Sequence, residues 1–247
     1  MKRDIVLLAT WLASAVIAPA LAQHHHWSYS GEGAPAHWGE LDPEFASCAT
    51  GKSQSPIDLP RSAKGESKAL AFDYRQGATK IFNNGHTVQV EYAPGSTLMV
   101  DGHAYELKQF HFHAPSENTI AGKHYPMEGH LVHADKDGHL AVVAVMFTEG
   151  KPNPVVETLW ANMPAKESEE HAFTAPLDAS GLLPAGRHYY RFAGSLTTPP
   201  CSEGVTWIVL SQPVTVSKQQ LAAFTHTMGF ANNRPVQPLN ARKVSMQ

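Results

Sequence analysis

From Gln109 to His113 the chain alternates polar and aromatic residues, the period-two pattern of a half-buried strand. It predicts Gln109, His111 and His113 on one face and Phe110 and Phe112 on the other. Glu128 to His133 repeats the theme, with Glu128, His130 and Val132 sharing a face. Strand patterns also run over Ala69–Tyr74, Ile81–Tyr92, Thr97–Val100, Tyr189–Phe192 and Val205–Leu210. Asn83-Asn84-Gly85 can turn the chain within the second of these. Asp101-Gly102 is a hairpin signal between Thr97–Val100 and a strand over Tyr105–His113. His139–Phe147 is nearly all apolar and Val-rich, which predicts a central strand buried on both faces. Two short helices are expected. One covers Pro154–Met163, with Asn153 as its cap and Pro154 at its start, and the other covers Lys218–Thr227. No repeat, linker or composition shift divides the chain, so one mostly β (α+β) domain is the simplest reading.

The N-terminal segment follows a different pattern. Lys2 and Arg3 precede an apolar run over Ile5–Ile17, Pro19 breaks it, and Ala20-Leu21-Ala22 fits a small-residue cleavage site. Residues 1–22 therefore read as a signal peptide and residues 23–247 as the domain, periplasmic or secreted after cleavage near Ala22. The apolar run is short for a membrane span, so no stable membrane anchor is expected. In an exported chain the two cysteines, Cys48 and Cys201, are expected to form a disulfide. The formal net charge of −3 on 247 residues argues against nucleic acid as the main partner. His24-His25-His26 reads as a solvated tail, and Trp27, Tyr29 and Trp38 as the residues that pack the N-terminal arm onto the domain.

The chemistry centres on the two alternating strands. If they pair antiparallel, His111, His113 and His130 can converge on one point. Three imidazoles with a fourth position open is the donor set of a catalytic zinc site. Gln109 and Glu128 each lie two residues before a ligand on the same face, where they can accept the ligand's other N–H. Against this, the chain has 15 histidines, and a lone H-x-H is more often structural. His86 taken alone is an ordinary loop-edge histidine.

A second stretch settles the balance. Ser195-Leu196-Thr197-Thr198-Pro199-Pro200 followed by Glu203-Gly204-Val205-Thr206-Trp207 places two threonines in a loop stiffened by prolines, just before an apolar strand. With Gln54-Ser55-Pro56-Ile57-Asp58, Asn83-Asn84-Gly85-His86, the two histidine strands, Ser116-Glu117 and Asn233 to Leu239, the chain resembles the alpha-class carbonic anhydrases, secreted bacterial type. The resemblance runs from about Trp27 to Arg242.

It implies a large, twisted, mainly antiparallel sheet of about ten strands with short peripheral helices. It implies reversible hydration of carbon dioxide to bicarbonate and a proton, with Zn2+ as cofactor. His111, His113 and His130 match the zinc ligands, and Gln109 and Glu128 the partners of His111 and His130. Glu117 and Thr197 match the pair that orients zinc-bound hydroxide, and His86 matches the proton shuttle. Thr198 lines the site. Val132, Val142, Leu196, Val205 and Trp207 match the apolar pocket for carbon dioxide. Tyr29, Asn84 and Gln89 match positions that order water, although Gln89 and Asn118 stand where some relatives carry other polar residues. A homodimer is left open. The alternative is a non-catalytic zinc-binding module of the same fold. Such relatives lack one or more of the zinc histidines, and here all three are present.

Overall fold

The structure, a computed structural model, describes residues 26–63, 65 and 68–247. The segment read as a signal peptide, and His24 and His25, lie outside the described residues. In chain order the strands are β1 (Asp58–Leu59), β2 (Ala71–Asp73), β3 (Ala78–Asn83), β4 (Val88–Tyr92), β5 (Thr97–Val100), β6 (His103–His113), β7 (Thr119–Ile120), β8 (Met127–Ala134), β9 (Leu140–Glu149), β10 (Glu170–Ala172), β11 (Tyr189–Ser195), β12 (Glu203–Val216) and β13 (Ser245–Met246). The helices are α1 (Trp38–Leu41), α2 (Ser47–Thr50), α3 (Pro154–Ala161) and α4 (Lys218–Met228).

Eleven strands form one sheet, whose main path runs β10-β3-β4-β6-β8-β9-β12-β11-β13, with β2 and β5 joined beside β6. The expectation of a large, mainly antiparallel sheet holds, with one refinement: β9 and β12, at its centre, run parallel. β1 and β7 form a small parallel pair of their own. The turn expected at Asp101-Gly102 connects β5 to β6, with both residues in the left-handed region at φ 52° and 85°. β10 carried no signal in the sequence, because all three of its residues are exposed and it lies at the sheet edge.

The continuous apolar run of β9 has a direct explanation. Val143, Val145 and Phe147 enter a core cluster with Phe110, Phe112, Leu131, Leu159 and Phe224. Val142, Ala144 and Met146 enter a second cluster on the other face, with Tyr190, Phe192, Trp207 and Val209. A strand buried on both faces has no use for alternation. Gly129 of β8 faces the first cluster. A Cβ there would lie 3.2 Å from the Phe147 ring and 3.4 Å from the Phe112 ring, so glycine lets the two aromatics close over the strand.

Both longer helices pack on the first face. Asn153 caps α3 as expected, its side chain accepting from the N–H groups of Val155 and Val156 at 2.9 and 3.1 Å. α4 opens with a reciprocal cap between Ser217 and Gln220 and closes on Gly229 at φ 72°. Gln220 also bonds both backbone groups of Asn153, at 3.0 and 2.8 Å, and so ties the starts of the two helices together.

The N-terminal arm is anchored by Trp38, which is fully buried and donates its indole N–H to Ser28 and Gly33 carbonyls at 2.9 Å each. Trp27 and Tyr29 pack edge-on against it at 5.2 and 5.8 Å. Nearby, a disulfide joins Cys48 of α2 to Cys201, with Cα atoms 5.0 Å apart. Among the described residues no helix is long and apolar enough to cross a membrane.

His133 of β8 points away from His130, into the first core. Its Nε2 accepts from the Tyr74 hydroxyl at 2.6 Å, and its Nδ1 donates to the Ala141 carbonyl at 3.2 Å. Burial pushes the imidazole down from 6.5 to about 4. Between those values the unfolded chain holds a proton here that the folded chain does not, so stability rises with pH. The difference corresponds to about 3 kcal/mol, present above pH 6.5 and lost as pH falls toward 4. In urea titrations the stability advantage of wild type over His133→Gln should therefore shrink over that interval. Parallel pH profiles for the two proteins would contradict the assignment.

Candidate active site

The site is a consequence of strand register. His111 of β6 lies directly opposite His130 of β8, and His113 lies opposite Glu128. The period of two places His111 and His113 on one face. One ring nitrogen from each of His111, His113 and His130 falls within 4.8 Å of the others.

The remaining ring nitrogens are committed elsewhere. Nδ1 of His111 donates to Gln109 Oε1 at 2.8 Å, and Nδ1 of His113 donates to the Asn232 carbonyl at 2.7 Å. Nε2 of His130 faces Glu128 Oε1 at 3.1 Å, although not aligned as a full hydrogen bond. That leaves Nε2 of His111, Nε2 of His113 and Nδ1 of His130 to look inward. Nε2 of His113 is buried with no hydrogen-bond partner. An unpartnered buried imidazole nitrogen beside two others fits the donor set of a metal site.

Glu128 does more than face His130. Its Oε2 accepts from the backbone N–H groups of Glu117 and Asn118 at 2.7 and 2.8 Å, and its Oε1 accepts from Asn118 Nδ2 at 2.7 Å. One buried carboxylate thus fixes the turn after β6. Asn118, where some relatives carry other polar residues, is fully buried in this contact and does not line the cavity. Glu117 is also fully buried. Its Oε1 accepts from the Arg234 N–H at 2.8 Å, and its Oε2 faces His113 Nε2 at 3.6 Å and His130 Nδ1 at 3.9 Å. The Thr197 side chain interacts with Glu117 and lowers its pKa, without completing a well-aligned hydrogen bond to Oε2.

Burial dominates the electrostatics. It pushes His111 and His130 well below 6.5, helped by the neighbouring imidazoles, and lowers His113 against the pull of the Asn232 carbonyl. All three are therefore neutral at pH 7, the form that binds metal. Burial raises Glu117 to about 8, opposed by the Arg234 N–H and Thr197, and raises Glu128 as well, opposed by Asn118. A divalent cation in the triad would act in the opposite direction on both carboxyls.

The triad forms the floor of a cavity of about 170 Å³. Val132, Val142, Leu196 and Trp207 line it with apolar surface, and Thr197 and Thr198 with hydroxyls. Tyr29, Asn84, His86 and Gln89 also line it. Val205 does not. It is buried in the second core cluster beside Val142 and Trp207, so it supports the wall from behind. His86 stacks on Trp27, ring centroids 3.6 Å apart and 13° from parallel. Its pKa is lowered by burial first and by His26 second, while Glu167 opposes. His26 is exposed, as expected of a tail, yet its ring lies 5.2 Å from His86 at 27°.

Two residues of the site were not singled out from the sequence. Asn232 supplies the carbonyl for His113, and its side chain bonds Ala114 N–H and the carbonyls of His86 and Phe112. Arg234 is buried and holds Glu117 through its backbone. A backbone carbonyl or N–H has no residue-type signature, so neither role could be read without the fold. A further trio, Asp135, Asp137 and His139, has metal-ligand spacing. It lies in the β8–β9 loop, where Asp135 accepts the Asp137 and His139 N–H groups and so holds the turn.

A triad of imidazoles that could hold a metal ion, on the face of a large sheet and under an apolar-walled cavity, is the arrangement of a small-substrate enzyme site. The family model for eukaryotic-type carbonic anhydrase matches residues 33–247. A carbonic anhydrase of Pectobacterium carotovorum is 50% identical over 217 residues, covering 88% of this chain and 89% of that protein. One from Klebsiella pneumoniae is 48% identical over 235 residues, covering 94% of this chain and 96% of that protein. The alpha-carbonic anhydrase of Thermovibrio ammonificans, solved with the inhibitor sulfanilamide, superposes with a TM-score of 0.88 at 51% identity, covering 89% of this chain and 98% of that one. The chain belongs to the alpha carbonic anhydrase family, and it is an enzyme of that lyase class.

Removing the contacts behind a ligand should weaken metal binding without removing the ligand. Asn118→Ala is expected to lower zinc affinity about 10- to 100-fold in competition with a chromophoric chelator. His130→Ala should lose most of the affinity. His133→Gln, on the opposite strand face, should leave it unchanged. Undiminished affinity in His130→Ala would remove the triad as the ligand set.

Proposed function

We propose that this protein catalyses the reversible hydration of carbon dioxide with zinc held by His111, His113 and His130. The observation that carries this is the convergence of three neutral imidazole nitrogens beside an apolar wall. When bound, zinc with three neutral ligands retains its charge and lowers the pKa of a bound water to about 7, a value for which carbonic anhydrase is itself the standard example.

The chain's own residues do the rest. Gln109, Glu128 and the Asn232 carbonyl fix the ring orientations of the three ligands. Glu117, once ionised, can only accept, so Thr197 must donate to it. The Thr197 oxygen is then left to accept a hydrogen bond from the reacting oxygen, which aims that oxygen and selects for a species carrying a proton. Val132, Val142, Leu196 and Trp207 offer an uncharged substrate a surface without competing water, with Thr198 at the edge and Val205 packed behind. His86 accepts the proton that each turnover releases and moves it toward solvent. An imidazole, ordinarily near 6.5, is matched to that task at neutral pH.

The domain is proposed to span residues 23–247 after removal of residues 1–22, placing it in the periplasm or outside the cell. The disulfide supports an oxidising compartment.

Stopped-flow carbon dioxide hydration with and without a strong zinc chelator tests the reading. Activity should vanish with the metal and return with stoichiometric zinc. Full activity in metal-stripped protein would refute it. His86→Ala should lower kcat about tenfold or more and leave kcat/KM nearly unchanged, because proton release follows the carbon dioxide step. Added imidazole should restore kcat. An equal fall in both parameters would place His86 among the structural residues.

A further inference from the structure

We propose that His26 is the outer station of the proton path: it takes the proton from His86 and delivers it to a soluble base in the groove beside α1. This rests on the reading of His86 as the primary acceptor.

The argument begins with what His86 touches. Trp27 stacks on it at 3.6 Å, but an indole offers only an N–H donor and can position the ring without accepting its proton. Tyr29 lies 6.5 Å away, and burial pushes its phenol well above 10. The second ring stacked on His86 is His26, at 5.2 Å. It is a base of the same chemical type, with a ring nitrogen able to take a proton and release it again. The gap can be crossed through one bridging water or by rotation of the exposed ring.

His26 also belongs to a different concavity. His86 lines the active-site cavity, whereas His26 lines a shallow groove with Glu32, His37, Glu40 and Leu41. The two cavities share no lining residue, so the His26–His86 contact connects them. All of these groove side chains except Leu41 are titratable, and Glu32, His37 and Glu40 are exposed. The two carboxylates give the groove negative charge that attracts a protonated base. Burial weakens the hold of His86 on a proton, which favours passing it outward, while Glu167 acts against this. In the step itself a proton leaves a ring nitrogen of the His86 imidazolium and binds the lone pair of a His26 ring nitrogen. His86 returns to its neutral form, and the groove base then removes the proton from His26.

The test uses the zinc-loaded full chain in dilute buffer, with His26→Ala, His26→Phe and His86→Ala compared by stopped flow. Phe keeps a stacking ring but carries no proton. Both His26 variants should lose kcat several-fold with kcat/KM unchanged, and concentrated imidazole buffer should restore them. Full kcat in both, alongside a slow His86→Ala, would overturn the role of His26 and leave that of His86 intact. Loss in Ala but not in Phe would reduce His26 to a packing residue and also overturn it. Full kcat in His86→Ala would remove the shuttle reading and this inference with it. Ring titration by NMR gives an independent measure. The His86 midpoint should rise in His26→Ala, because a neighbouring positive charge is gone. An unmoved midpoint would show that the two rings do not communicate.

Discussion

The antiparallel register of β6 against β8 decides whether this molecule has a site at all. His111 opposes His130 in that register. A slip of one residue would turn β8 over, sending Glu128, His130 and Val132 into the core and Gly129, Leu131 and His133 to the cavity. The alternation of the two strands opposes that slip. Leu131 is buried in the first core cluster beside Phe110 and Phe112, and exposing it would cost on the order of 2 kcal/mol, with Glu128 and His130 forced among apolar side chains in its place. The same hydrophobic term that stabilises the sheet therefore sets the spacing of the imidazoles. The bulge between Leu107 and Gln109 lies just before the ligands, so the pairing from Gln109 to His113 runs without interruption.

Behind the triad the protein keeps two carboxyls and a guanidinium out of water, which is costly for any group left without partners. The chain supplies them from distant segments. Glu128 receives three donors from the turn after β6. Glu117 receives one from Arg234, and the Arg234 guanidinium donates to Gln54 Oε1 and to the Ser55 and Cys48 carbonyls at 2.8 to 2.9 Å. Each carboxyl is still pushed upward by burial, so a cation in the triad and the polar groups behind it support one another. A metal held there would favour the ionised carboxyls, and ionised carboxyls would favour the metal.

Much of this was legible in the sequence, and the reasons differ by element. The ligand strands announced themselves because one face is polar and the other apolar. β9 announced itself by its length and valine content. The caps of α3 followed from Asn153 and Pro154. The role of Gln109 beside His111 followed from the same period. What escaped was whatever depends on backbone atoms or on contacts between remote segments: the Asn232 carbonyl, the Arg234 N–H, the edge strand β10 and the parallel junction of β9 with β12. Val205 sits behind the wall for a related reason. Alternation assigns a residue to a face of the sheet, but the exposed depth on that face is set by neighbours such as Trp207 and Val142, which alternation does not describe.

The disulfide gains a local meaning from this arrangement. In the chain-entropy picture, a link of this span stabilises by roughly 2 to 4 kcal/mol through the unfolded state, wherever in the fold it lies. Here its two ends lie inside the polar network. The Cys48 carbonyl accepts from Arg234, and the Cys201 carbonyl accepts from Gln54, which itself accepts from Arg234. Cys201 comes four residues after Thr197, and its N–H donates to the Thr198 carbonyl at 2.9 Å. The loop that aims the threonine hydroxyls and the segment that holds Glu117 are therefore pinned to the same pair of carbonyls. A buried polar network is only as precise as its least constrained member. Joining two of its anchors covalently limits how far Thr197 and Glu117 can drift apart, which links the stability of this region to the geometry of the cavity.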